Sequence, residues 1–168
     1  ETRKGKWHWS ETGRPVFRLS HLVLGIVGLG KIGKAIASRA KPFGFRLQSY
    51  DPVVDPQTAA ALGVTMVDFR TVVATSDILC LQCPYTEETH HLIGEKELRS
   101  MKNSGVLINC ARGKVVDNAA LHDALVSGWI AAAAMDDLEE EPPKMFNWKP
   151  SLNPLFSLDN CFITPHVA

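Results

Sequence analysis

The stretch Val23-Leu24-Gly25-Ile26-Val27-Gly28-Leu29-Gly30-Lys31-Ile32-Gly33-Lys34-Ala35-Ile36-Ala37 decides the fold. Its apolar first half predicts a buried strand. The run breaks at Gly28-x-Gly30-x-x-Gly33 and resumes as a helix with apolar residues at Ile32, Ile36 and Ala40. Gly28 suits the tight strand-to-helix turn, Gly30 a close approach of backbone to a pyrophosphate, and Gly33 close packing of helix on strand. The helix start at Lys31 and Ile32 offers N–H groups and a positive dipole end to phosphates. A second strand, Phe45 to Tyr50, ends at Asp51, about 20 residues past Gly33, where an acid that holds ribose hydroxyls is expected. A carboxylate there repels a 2′-phosphate, and Pro52 follows it rather than Arg or Lys, so NAD is favoured over NADP.

Working outward, strands and helices alternate. Strands are expected at 22–27, 45–50, 64–67, 78–83, 106–109, 130–135 and 161–164. Helices are expected near 56–62, 68–75, 95–101 and 118–127, the last capped by Asp117. The segment 138–160, rich in Pro, Asn and acid, reads as a long ordered loop. This pattern predicts an α/β fold, a Rossmann-type doubly wound parallel sheet. Residues 1–20 read as a lead-in or crossover segment, and 21–168 as the nucleotide-binding domain.

A length of 168 residues, 45% of them apolar, suits one domain with a sizeable core. The 18 basic and 18 acidic residues cancel, which argues against a nucleic-acid partner, and no long apolar span argues for a membrane. The chain begins at Glu1 without an apolar leader, so a fragment or processed chain in the cytoplasm is expected. Cys80-x-x-Cys83 lies in a strand with its two thiols on opposite faces, and no second pair completes a metal site. Four reduced cysteines and no metal are expected.

Ligands of such sheets lie at the carboxyl ends of the strands. Asp51, Cys83-Pro84, Asn109 to Arg112, Asp136 and Pro165-His166 all follow strand ends and are expected to converge on one cleft. Arg112, in a glycine-bounded loop, has the forked donors that suit a carboxylate. A loop arginine in a surface ion pair is the plainer alternative. Asp136, first of an acidic run, suits a nicotinamide amide, and a later Glu could reach a histidine. His166, fixed by Pro165, suits proton exchange near neutral pH. His8, His21, His90, His91 and His122 read as structural.

Taken together, Gly28-x-Gly30-x-x-Gly33, Tyr50-Asp51-Pro52, Cys83-Pro84 with Thr89, Asn109-x-Ala111-Arg112-Gly113, Asp136 with Glu141-Pro142, and Thr164-Pro165-His166 carry a resemblance. From about Gly25 to Ala168 the chain resembles the NAD-binding domain of the D-isomer-specific 2-hydroxyacid dehydrogenases. The resemblance implies hydride transfer between NAD(H) and a 2-hydroxy or 2-oxo acid. It implies that Arg112 holds the substrate carboxylate and that His166 is the general acid or base. Glu141 would hydrogen-bond His166 and favour its protonated form. Asp136 would bind the nicotinamide carboxamide, and Cys83, Pro84, Thr89, Cys110 and Ala111 would line the dinucleotide. It also implies a flanking substrate domain outside this chain, without which the fragment turns over little or nothing. A homodimer through this domain is implied, with Trp7, Trp9 and Phe17 at the interface; packing within one subunit stays open for them. Asp137 departs from the family pattern, which commonly has an apolar residue there. The resemblance leaves two other functions open: a dinucleotide-sensing corepressor of the C-terminal-binding-protein type, and a phosphoglycerate or phosphite dehydrogenase.

Overall fold

A computed structural model describes residues 18–140 and 149–168. Trp7, Trp9, Phe17 and Glu141 lie outside the described residues. One seven-stranded sheet holds β1 (Val23–Val27), β2 (Arg46–Tyr50), β3 (Val64–Met66), β4 (Ile78–Leu81), β5 (Val106–Asn109), β6 (Ala132–Met135) and β7 (Cys161–Ile163), in the order β3-β2-β1-β4-β5-β6-β7. Every pairing is parallel. The order reverses between β1 and β4, which opens a crevice beyond their carboxyl ends.

Among the described residues the sheet is flanked by α1 (Lys31–Ala40), α2 (Pro56–Ala61), α3 (Phe69–Thr75), α4 (Glu95–Ser100) and α5 (Asn118–Val126). Short acidic side chains start three of them. Asp55 accepts from the Thr58 N–H, Asp68 from the Thr71 N–H, and Asp117 from the N–H groups of Ala119 and Ala120. Each satisfies donors that the first turn leaves without helical partners.

Strand alternation divides the core between the two faces of the sheet. Leu79 and Leu81 of β4 join Leu107, Leu121 and Ile130 on one side, while Cys80 joins Ile26, Leu47 and Val64 on the other. Cys83 packs with the first group, so the thiols of Cys80-x-x-Cys83 do face opposite layers. Burial pushes the Cys80 thiol up to about 12 and the Cys161 thiol up to about 11, which leaves both inert as nucleophiles. Among the described residues no cluster of His, Cys, Asp and Glu could hold a metal.

Two strand boundaries differ by two residues from the sequence reading, and α1 shows which of its residues reach the sheet. In α1 the buried face is Gly33, Ala37 and Ala40, and Ile32 is 62% exposed. Small residues let the helix sit close to the sheet, and the bulky Ile32 is turned out toward the crevice. β4 stops at Leu81, and after one more bond to β1, from the Gln82 N–H to the Val27 carbonyl, the chain turns out to Pro84. β6 starts at Ala132, and Ile130 before it is buried in the core. The described part of the long loop carries 3-10 turns at Pro150–Leu152 and Pro154–Ser157.

Candidate dinucleotide site

The glycine turn is shaped by what its neighbours leave room for. Gly28 has φ +95°, and a Cβ there would lie 2.7 Å from the Cys83 nitrogen. A Cβ on Gly33 would collide with the Gly28 carbonyl oxygen, whereas a Cβ on Gly30 would meet nothing within 4 Å. Gly28 and Gly33 are therefore required by the fold, and Gly30 borders open space. Its carbonyl accepts the first helical bond, from the Lys34 N–H, so the N–H groups of Lys31, Ile32 and Gly33 precede the helical ladder at a positive dipole end.

Asp51 locks this turn to β2. One carboxylate oxygen accepts the Leu29 N–H at 2.7 Å, and the other accepts the N–H groups of Val53 and Val54 at 2.8 and 3.0 Å. It lines a cavity of about 560 Å³ with Gly28, Gly30, Pro52, Thr89 and Leu92. The Thr89 hydroxyl donates to the Pro84 carbonyl at 2.8 Å and accepts the Thr86 N–H at 2.7 Å, which closes the turn forming one wall. Open space at Gly30 beside a fixed carboxylate fits the pyrophosphate and ribose of a dinucleotide.

A second cavity of about 850 Å³ shares Cys83 and Pro84 with the first. Ile32, Cys110, Ala111, Arg112 and Asp137 are among its other lining residues. Burial raises the Cys83 thiol, with a smaller push from the Asp51 charge. Burial likewise raises the Cys110 thiol, which the Asp136 charge pushes further. Both stay protonated at neutral pH and line the walls as small apolar groups.

The Arg112 loop is rigidly held. Asn109, fully buried at the end of β5, accepts the Ala111 N–H at 3.0 Å and donates to the Arg112 carbonyl at 2.9 Å. Gly113 presses against Leu138 so closely that any Cβ would overlap its carbonyl carbon. The Arg112 side chain donates to the Ala111 carbonyl at 2.7 Å and stands exposed at the cavity.

Asp136 and His166 are joined differently from the expectation of one cleft. Neither lines the larger cavity. The Asp136 carboxylate accepts the Thr164 hydroxyl at 2.6 Å and the N–H groups of Val167 and Ala168, each at 2.9 Å. The Asp136 carbonyl accepts the His166 N–H, and His166 has φ +55°. Asp136 thus clamps the segment that carries His166. Burial pushes its carboxyl up, but these three hydrogen bonds and the His166 charge outweigh that, leaving it below the usual carboxylate range. A depressed value in the folded state adds stability above the unfolded value, and this is lost as pH falls below about 4. Exchange protection of the Val167 and Ala168 amides is therefore expected to persist through the usual carboxylate range and to be lost only as pH falls through that depressed value. Asp136→Ala is expected to remove it at neutral pH.

Three contributors were not read as site residues. His91, in a left-handed conformation with φ +48°, joins the Glu139 carboxylate through Nε2 and approaches Asp117 with Nδ1 at 3.8 Å. This ties the turn after Pro84 to the acidic turn after β6, a loop-to-loop contact with no local sequence signal. Lys114 lines the larger cavity beside Arg112, and Asp137 lines it where Asp136 was expected. The period-two alternation of side chains was the available signal for Asp137, since consecutive residues leaving a strand face opposite ways.

A family model described as D-isomer specific 2-hydroxyacid dehydrogenase, NAD binding domain, matches residues 1–168. The chain is 44% identical over 171 residues to a glyoxylate reductase of Thermococcus litoralis, covering 99% of this chain and 50% of the relative. It is 40% identical to a D-3-phosphoglycerate dehydrogenase of Archaeoglobus fulgidus, covering 99% and 30% of the two chains. A crystal structure of D-lactate dehydrogenase from Aquifex aeolicus with NAD and lactic acid superimposes with a TM-score of 0.86 at 32% identity, covering 99% of this chain and 52% of that one. The chain spans about half the length of the glyoxylate reductases that it matches.

Proposed function

The chain belongs to the D-isomer specific 2-hydroxyacid dehydrogenase family as its NAD-binding domain, and from that premise we propose that the whole protein transfers a hydride between NAD(H) and a small 2-hydroxy or 2-oxo acid. The observation that carries this reading is the 850 Å³ cavity, which joins the dinucleotide side at Ile32, Cys83 and Pro84 to the forked cation Arg112. Bound NAD supplies the hydride donor or acceptor. Gly30 and the start of α1 would receive the pyrophosphate, and Asp51 would receive the ribose hydroxyls. Cys83, Pro84, Thr89, Cys110 and Ala111 would form the walls.

Arg112 orients the substrate by its carboxylate and withdraws charge from the carbonyl oxygen during reduction. His166 gives a proton to that oxygen in reduction and takes it back in oxidation. The resemblance gives Glu141 the role of orienting His166. The remaining half of the protein supplies the substrate domain, whose closure excludes water and brings substrate to Arg112. The working form is a cytoplasmic homodimer. Among the described residues no helix is long and apolar enough to cross a membrane.

Asp51→Ala tests the cofactor half. It is expected to weaken NAD by about 10- to 100-fold, the loss of charge-assisted bonds to two hydroxyls. NADP is expected to weaken far less, narrowing the preference. Calorimetric titration of both dinucleotides reads the ratio. General loosening of the turn would lower both affinities equally, and that outcome would contradict the ribose assignment.

A further inference from the structure

His91 stands where three segments meet. Its N–H donates to the Lys114 carbonyl at 2.9 Å, and Ile93 exchanges hydrogen bonds with Val115 and Asp117, so residues 91–93 brace the loop that carries Arg112. Its ring reaches the other way. Nε2 donates to the Glu139 carboxylate in the turn after β6, and Nδ1 lies 3.8 Å from Asp117 at the start of α5. His90 stacks on this ring with centroids 4.0 Å apart and planes 19° from parallel, and the Tyr85 hydroxyl lies 3.3 Å from His90 Nδ1. The ring plane is thereby fixed from one side while both nitrogens face carboxylates. All of this hangs on a backbone with φ +48°, a region that few residues other than glycine adopt. Such a conformation persists only where its surroundings enforce it, and such positions gather at functional sites.

We propose that His91 is a positioning residue for hydride transfer, which sets the placement of the Arg112 loop relative to the acidic turn that clamps the His166 segment. This role presupposes the hydride-transfer reading above. Arg112 follows β5 and His166 follows β7, and one substrate carbonyl must meet both. The turn Asp136–Glu139 stands between them. Its Asp136 end holds the Thr164 hydroxyl and the N–H groups of Val167 and Ala168, and its Glu139 end is held by His91. The apolar contact of Gly113 on Leu138 sets how closely loop and turn approach. A hydrogen bond to a carboxylate adds direction, so it sets how they are aligned. His91 does not line the larger cavity, whereas Glu139, Arg112 and Lys114 do. It acts on the reaction through them. The Thr89 turn on the dinucleotide side closes through Thr86 and Pro84 and needs no help from His91.

The test uses the full-length protein and two replacements that each keep half of the imidazole. In His91→Gln the amide nitrogen stands where Nε2 stood and still donates to Glu139. In His91→Asn it stands where Nδ1 stood and stops short of Glu139. The rate of hydride transfer is read as loss of NADH absorbance in a single turnover, with glyoxylate, pyruvate or hydroxypyruvate at saturation. His91→Asn is expected to lower that rate by about 10- to 100-fold, the cost of misplacing reacting groups by about 1 Å. His91→Gln is expected to keep most of it, and NAD affinity to stay within about twofold in both. Stability is expected to run the opposite way. Asn adopts positive φ far more readily than Gln, so the Tm of His91→Asn equals or exceeds that of His91→Gln. A role confined to structural support would make the rates follow Tm. Glu139→Ala is expected to repeat the loss of His91→Asn, and the two together to lose no more than either alone. A rate kept in both His91→Asn and Glu139→Ala, or a faster His91→Asn than His91→Gln, overturns the proposal and leaves the hydride-transfer reading standing. Reduction of none of the three acids by the natural protein overturns that reading and the proposal together.

Discussion

Arg112→Ala in the full-length enzyme is expected to lower kcat/KM on 2-oxo acids by about 10²–10³-fold, the loss that follows removal of one preorganised charge-stabilising donor. NAD affinity is expected to stay within about twofold. The asymmetry follows from the loop's construction. Asn109 holds the backbone on both sides of Ala111, and Gly113 packs on Leu138, so the main chain stays in place when the guanidinium is removed. Only the cation at the far end of the cavity is lost. Arg112→Lys is expected to recover little, because an ammonium keeps the charge without the planar fork. Steady-state kinetics beside equilibrium dinucleotide binding read the difference. Equal losses of both would move Arg112 into the cofactor site.

Gly33→Ala is expected to destabilise the domain by on the order of 3 kcal/mol, the upper range for overpacking against atoms that cannot yield. At this chain length that is a Tm loss of roughly 6–12 °C. The new methyl would overlap the Gly28 carbonyl, which is backbone, and Gly28 is itself pinned by its bond to the Tyr50 carbonyl and by Cys83. Relief requires α1 to lift from the sheet, so NAD binding falls as well. Gly30→Ala separates the two effects. Its φ of −72° suits any residue and its methyl meets nothing in the protein, so Tm is expected to hold within about 2 °C. NAD affinity nevertheless falls at least about tenfold, because the methyl occupies space open to the pyrophosphate. Thermal melts paired with titrations test this. A Tm loss in Gly30→Ala as large as that of Gly33→Ala would contradict it.

The order and type of the strands were legible because buried parallel strands are short apolar runs closed by Gly, Pro or Asp. Gly28, Gly33 and Asp51 were legible for the same reason: turn geometry restricts which residues can stand there. The apolar periodicity of α1 marked a stripe at Ile32, Ile36 and Ala40 without saying which edge of it touches the sheet. Small residues, Gly33 and Ala37, took the contact. Asp136 and Asp137 could not be told apart by composition. What separates them is which side of the sheet each faces, and that depends on where β6 ends. The contact between His91 and Glu139 joins residues far apart in sequence and needed the folded loops to be seen.

The central claim is a working NAD site in this chain, and calorimetric titration of the natural sequence with NAD, NADH and NADP at equal concentrations tests it most directly. The account predicts saturable binding of NAD and NADH, with NADP at least about tenfold weaker, a difference of roughly 1.4 kcal/mol. Binding of no dinucleotide, or NADP binding as tight as NAD, would contradict it.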